Sequence, residues 1–301
     1  LHTWSIGFKG SEDLKYAQLV ADHIKSIHHS IEVDEKDFLD AIPQVIYNIE
    51  SYDTTTVRAS VGNWLICKKI KEQSNAKVIF NGDGADEVMG GYLYFHLAND
   101  SIEFDKECRK LLENIHYFDV LRSDRSISSH GLEARTPFLD RNFVQYYLSI
   151  THTLRHHAND SNCEKYLIRN AINEIDNNLL PHAVLFRTKE AFSDGVSKQT
   201  KSWYEIIQDY VKKLYNVDVE NNSEENILLK YNKYIFNTPK TLEQLFYRNI
   251  FSEKFPHYSC DKTIPYFWMP NFIEATDASA RTLDIYKTKI KSNEKTLPAL
   301  S

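Results

Sequence analysis

Two periods alternate along the first hundred residues. Trp4, Ile6 and Phe8 in "TWSIGF" recur at every second position, as in a half-buried strand. In "SEDLKYAQLVADHI", Leu14, Ala17, Ala21 and Ile24 then form one helical stripe behind Ser11, a cap followed by acids in the first turn. "HHSIEV" predicts a second short strand, and Phe38, Ile42, Val45, Ile46 and Ile49 predict a second helix. Val78, Ile79 and Phe80 predict a short, wholly apolar strand. Such alternation argues for an α/β fold, a parallel sheet with helices on its faces.

Beyond about residue 100 only the helical period persists. It runs through Phe104, Cys108, Leu111, Leu112 and Ile115, through Leu167, Ile168, Ala171, Ile172 and Ile175, and through Leu242, Leu245, Phe246 and Ile250. The stretch "NVDVENNSEENILLK" from Asn216 is polar and acidic enough to predict a surface loop. The chain therefore reads as an α/β part over 1–100, a mainly helical part over 101–286 and a tail over 287–301.

Composition narrows the function classes. Thirty-six basic against 42 acidic residues give a net charge of −6, which carries no broad footprint for a phosphate backbone, so nucleic acid is not the expected partner. Cys67, Cys108, Cys163 and Cys260 are scattered without zinc spacing, which fits a reducing, cytoplasmic setting. No apolar run approaches membrane-spanning length. His28–His29 and His152 with His156–His157 invite a metal reading, but adjacent strand residues point opposite ways and no acid stands at ligand spacing.

Candidate chemistry concentrates where the apolar strand ends. In "VIFNGDGADEVMGGYLYFH", Asp83, Asp86 and Glu87 crowd among Gly82, Gly84, Gly90 and Gly91. Ligands of open parallel sheets sit outside the carboxyl ends of the strands, so these acids are placed to hold a divalent cation, which prefers hard oxygen ligands. An ordinary Asp/Gly surface turn accounts for the same residues. A second group, "FDVLRSDRSISSHGLEARTPFLDRNF", sets Asp119, Arg122, Asp124, Arg125, Glu133, Arg135, Asp140 and Arg141 among apolar residues. There Glu133, Arg135 and Asp140 are expected to form a buried ion network fixing a corner. In "RTKEAFSDGVS", Lys189 is either a solvated loop lysine or a cation aimed at leaving pyrophosphate.

In order along the chain, "DLKYAQLVADHI", "HHSIEV", "DAIPQVIYNIESYDTTTVRAS", "NGDGADEVMGGYLYFH", "GLEARTPFLD", "FRTKEAFSDGV", "YRNIFSEKFP" and "DASARTLDIYK" resemble the synthetase half of the glutamine-hydrolysing asparagine synthetases. The resemblance implies an ATP-pyrophosphatase-type domain, related to the adenine nucleotide alpha hydrolases, followed by a helical region. It implies that aspartate is activated by ATP and Mg2+ to an aspartyl-adenylate with release of pyrophosphate. Ammonia from an amino-terminal glutaminase domain then displaces AMP to give asparagine. By motif position it makes Asp86 the metal–pyrophosphate carboxylate and Asp83 the acid over the reacting carboxyl, where many members carry Glu. It makes Asn81, which replaces a frequent Ser, a ligand of ribose or phosphate beside Gly82 and Gly84. It puts Ile6 and Gly7 beside the adenine, and Asp119, Arg122 and Lys189 around adenylate and pyrophosphate. Thr55, Arg58 and Ser60 lie in a motif near the family's active site, where a helix-start role for the threonines is an equal alternative.

The family's S-G-G-x-D-S phosphate loop is absent from these residues. It is expected shortly upstream of the first strand, so that the 301 residues alone should bind Mg-ATP poorly. A β-lactam synthetase-like ligase and a non-catalytic remnant serving as a binding module are the rival readings. The resemblance leaves a homodimer open.

Overall fold

The computed structural model describes residues 1–157, 163–187, 195, 201–217, 223–275, 277–279 and 282–284. The first strands appear where the period-two pattern places them: β1, His2–Phe8, and β2, Ile27–Val33, pair in parallel with His2 opposite Ile27 and Phe8 opposite Val33. Between them runs α1, Glu12–Ile24, whose N-cap is Ser11 in extended conformation with no side-chain cap bond. Next, α2, Glu35–Ile49, starts from a reciprocal capping box in which Asp34 accepts from the Asp37 N–H and Asp37 from the Asp34 N–H. Its apolar stripe, Phe38, Ile42, Val45, Ile46 and Ile49, is wholly buried, each side chain contributing roughly 1.5–3 kcal/mol relative to exposure.

The expected single sheet is instead two small ones. β3, Val78–Phe80, pairs in parallel with β4, Glu133–Arg135, and among the described residues neither bonds to β1 or β2. β3 is apolar yet not buried on both faces, for Val78 is 43% and Phe80 75% exposed. Only Ile79 packs inward, where it joins Trp4 of β1 and Ala134 of β4 around Cys67, Ile70, Ile127 and Leu132. Both half-sheets thus rest on one helical layer, made by α3, Thr54–Gln73, and α6, Asp119–Ser128, which pack on each other. The short α4, Ala85–Met89, and α5, Ser101–Asn114, lie between β3 and α6 in the chain.

The largest core draws on both sides of residue 100. Phe8, Phe38, Tyr52, Val57 and Val61 meet Trp203, Ile207, Leu245 and Phe251, which belong to the helices Trp203–Leu214 and Leu242–Lys254. The stretch expected as a loop from Asn216 contains the helix Glu224–Tyr231, because the Ser223 hydroxyl caps the Asn226 N–H and Ile227 is fully buried. The expected corner network is also corrected. Glu133 and Arg135 do pair, but with half or more of each side chain exposed, because they flank the inward Ala134 on a two-stranded edge. Asp140 is exposed and caps α7, Arg141–Ser149, by accepting from the N–H groups of Asn142 and Phe143.

Candidate active site

The loop after β3 carries the opening group of acids, and its backbone explains the glycines. Asn81 bonds back to the Arg135 carbonyl on β4, continuing the ladder by one step. Its side-chain amide is engaged at both ends: Nδ2 donates to Ser123 Oγ at 2.9 Å, and Oδ1 accepts from the Asp83 N–H at 3.2 Å. Gly82 faces open space. Gly84 caps α4 at φ 87°, the left-handed region, and a Cβ there would collide with Leu139, so no larger residue fits.

Asp83, Asp86 and Glu87, which the sequence offers either as cation ligands or as an ordinary turn, each meet a different partner. Glu87 turns inward, almost fully buried, and takes the Tyr92 hydroxyl hydrogen bond. Burial first, then repulsion by Asp119 and Asp86, pushes its pKa well above the usual carboxylate range. Among the described residues no group of three or more His, Cys, Asp or Glu side chains is arranged to hold a metal ion.

Asp83 and Asp86, each with 18% of its side chain exposed, face different cations beside this loop, at a site termed the cleft. Arg122, on the first turn of α6, bonds Asp119 at 3.0 Å and reaches Asp83 at 3.5 Å. Burial opposes its charge, yet Asp83 and Asp119 outweigh that and hold its pKa above the ordinary value. Asp119 and Arg122 are one turn apart because α6 starts at Asp119, which sets the i,i+3 pair on one helix face. The fifth charged group, which sequence reasoning missed, is Lys165: its Nζ lies 2.5 Å from Asp86 Oδ1. It stands 79 residues from its partner in "CEKYL", where a helix start is the only local signal. Gly91 lies directly under Asp86, so that a Cβ there would overlap the carboxylate. The missing side chain leaves the room that the Asp86 carboxylate occupies.

Ile6 and Gly7 are buried at the carboxyl end of β1, the same end of the molecule's strands from which the Asn81–Asp86 loop departs β3. Near α1, Arg187 pairs with Asp13 at 2.8 Å and stacks on Tyr16, and Gly195 also lies against Asp13. Lys189 falls outside the described residues.

The "YDTTTVRAS" motif serves two ends. Asp53 caps α3, accepting from the Thr56 N–H and hydroxyl, and its other oxygen accepts from the Trp268 N–H at 2.7 Å. Burial pushes its pKa up to about 6. The helix-start reading thus holds for Thr56, whereas the hydroxyls of Thr54 and Thr55 are buried without a partner. Arg58 is turned away from the cleft and forms paired bonds to Glu243 and Asp277, at 2.5–2.8 Å, with 3% of its side chain exposed.

Comparison with known proteins adds to this geometry. A family model described as asparagine synthase matches residues 1–107 and 98–268. The chain is 44% identical over 293 residues to an asparagine synthetase [glutamine-hydrolyzing] of Gallus gallus, covering 97% of this chain and 50% of that protein. Proteins of the same name from Mus musculus and Homo sapiens are 44% and 42% identical over 292 residues, with the same coverage. The chain thus spans about half the length of the curated relatives it matches.

Proposed function

The chain belongs to the asparagine synthase family, and from that premise we propose that it is the synthetase half of a ligase that makes asparagine from aspartate, ATP and ammonia. The observation that carries this reading is the pairing of Asp83 and Asp119 with Arg122, and of Asp86 with Lys165, in the cleft at the carboxyl end of β3. Three carboxylates face two cations there, an arrangement suited to a ligand that brings both phosphate charge and positive charge. The Gallus gallus relative is named for asparagine synthesis, which supports this reading over a β-lactam synthetase-like one.

In the proposed reaction a side-chain oxygen of aspartate attacks the α-phosphorus of ATP. The bond from that phosphorus to the bridging oxygen breaks, and pyrophosphate leaves. Ammonia then attacks the acyl carbon, loses a proton and expels AMP. Arg122 and Lys165 supply fixed positive charge where negative charge develops on the departing phosphates, and Lys189 is assigned the same role. Asp83, with Arg122 at 3.5 Å, stands to take the proton from the attacking nitrogen. Asp119 holds Arg122 in register. Asn81 fixes the loop so that Gly82 and Gly84 present backbone to the nucleotide, and Ile6 and Gly7 border the adenine. Of these residues Asp86, a carboxylate already held against a cation, would hold Mg2+. When bound, the ion neutralises phosphate charge and orients the leaving group. A phosphate loop and an ammonia-producing domain are assigned to the complete protein, in line with the half-length match. No described helix is long and apolar enough to cross a membrane, and a cytoplasmic enzyme is proposed.

The test is aspartate-dependent release of pyrophosphate and AMP from ATP by the complete protein, followed with ammonia as nitrogen donor. Stoichiometric pyrophosphate, AMP and asparagine are expected. Release of ADP and phosphate, or of pyrophosphate without aspartate, contradicts the proposal.

A further inference from the structure

We propose that His96 and Glu164 form a buried strut that positions Lys165 against Asp86; the inference rests on the reading of the Asp86 cleft given above. Glu164 is fully buried, and its Oε1 meets His96 Nε2 at 2.6 Å, with only 8% of the His96 side chain exposed. His96 belongs to the 3-10 turn Leu93–Leu97, which follows α4 and Gly91 in the chain, and the His157 ring packs edge-on against it at 4.6 Å. The next residue after Glu164 is Lys165, which adopts the left-handed conformation at φ 58° and ψ 29° with no side-chain cap bond, and from it starts the helix Tyr166–Ile175.

A non-glycine residue in that region is strained and persists only when its surroundings over-determine it. Here two consecutive residues clasp one short stretch of chain at both ends, Lys165 at Asp86 and Glu164 at His96. With Glu164 pinned on one side, the backbone of Lys165 has a single way to turn, and that turn delivers its ammonium to Asp86. A flexible four-carbon lysine would otherwise sample many rotamers around a surface carboxylate. His96 and Glu164 are positioning residues, acting on the cleft through Lys165.

Two readouts on the complete protein test this. The first is the rate at which acetic anhydride acylates Lys165, followed by peptide mass spectrometry with the exposed Lys15 as internal reference. Lys165 is expected to react slower than Lys15 in the parent, and several-fold faster in Glu164→Ala. Glu164→Gln, which still accepts from His96 through its amide oxygen, should retain most of the protection and folds even if the alanine variant does not. The second is single-turnover pyrophosphate release, where Glu164→Ala should lower the rate about tenfold to a hundredfold while KM for aspartate changes less than about threefold. In a Lys165→Ala background the same substitution should cost nothing further, because both act through one ammonium.

Unaltered acylation of Lys165 in Glu164→Ala, or in His96→Ala where the first does not fold, overturns the strut whatever the activity does. Losses of rate that multiply in the double variant overturn it as well. Faster acylation with an unaltered pyrophosphate rate supports the strut and counts against the reading of the cleft, so the two failures are distinguishable.

Discussion

Arg58 and Arg122 each face two carboxylates, and the difference between them separates fold from chemistry. Arg58 is buried, and its fork is matched atom for atom by Glu243 and Asp277, which arrive from 185 and 219 residues away. Gln208 adds a bond to Glu243, and the Tyr204 ring lies over the guanidinium. Every charge there is spent inside the protein. Arg122 is partly exposed, holds Asp119 firmly and Asp83 only at 3.5 Å, and shares its cleft with Asp86 and Lys165. Contacts left long at a surface can be exchanged for a ligand, whereas a closed bidentate pair cannot be opened without exposing a buried charge.

The comparison breaks most readily at Arg58. Arg58→Ala strands Glu243 and Asp277 in the core and should cost about 3–5 kcal/mol of stability, read as a fall in urea midpoint with little change in slope. A midpoint within about 1 kcal/mol of the parent would mean that water already reaches the network.

Asp53 stands between the two regions, capping α3 and binding Trp268 while feeling the charge of Asp119. With a folded pKa of about 6 against 3.8 for the free side chain, its protonated form favours the folded state. That contribution is complete below the unfolded pKa of about 4 and is lost as pH rises through about 6, amounting to about 3 kcal/mol. The stability difference between the parent and Asp53→Asn, measured by urea titration from pH 4 to 7, should move against the parent across that window. A flat difference places Asp53 in a setting as wet as the cleft.

The smallest effect is expected at Glu133. Its pair with Arg135 is exposed on both sides, so Glu133→Gln should change stability by less than about 1 kcal/mol. A larger loss would restore the buried corner that the sequence suggests and the structure does not contain.

What the sequence shows and hides follows from where partners come from. α2 and α5 are legible because their buried positions are apolar at helical spacing, as with Phe38, Ile42 and Ile49, or Phe104, Cys108 and Leu111. The packed positions of α3 include Thr54, Thr56, Arg58, Ser60 and Gly62, so no apolar stripe announces the length of a 20-residue helix. Asp86 and Arg122 are singled out by the resemblance alone, whereas the pairing of Asp119 with Arg122 follows from one helical turn. Lys165 is hidden because its partner is 79 residues distant and its own neighbourhood reads as a helix start. Glu87 shows the opposite error: an acid beside acids looks like a ligand, and only the Tyr92 hydroxyl reveals that it faces the core.

The central claim is that the Asp86 cleft does chemistry while the Arg58 network holds the fold. It is tested most directly by Asp86→Asn in the complete protein, with single-turnover pyrophosphate release and thermal melting measured on the same preparation. The account predicts that pyrophosphate release falls at least about a thousandfold, the scale of losing a transition-state charge partner, while the melting temperature stays within a few degrees of the parent. Pyrophosphate released at the parent rate, or a melting temperature that collapses together with it, would contradict the claim and make Asp86 a second structural ion pair.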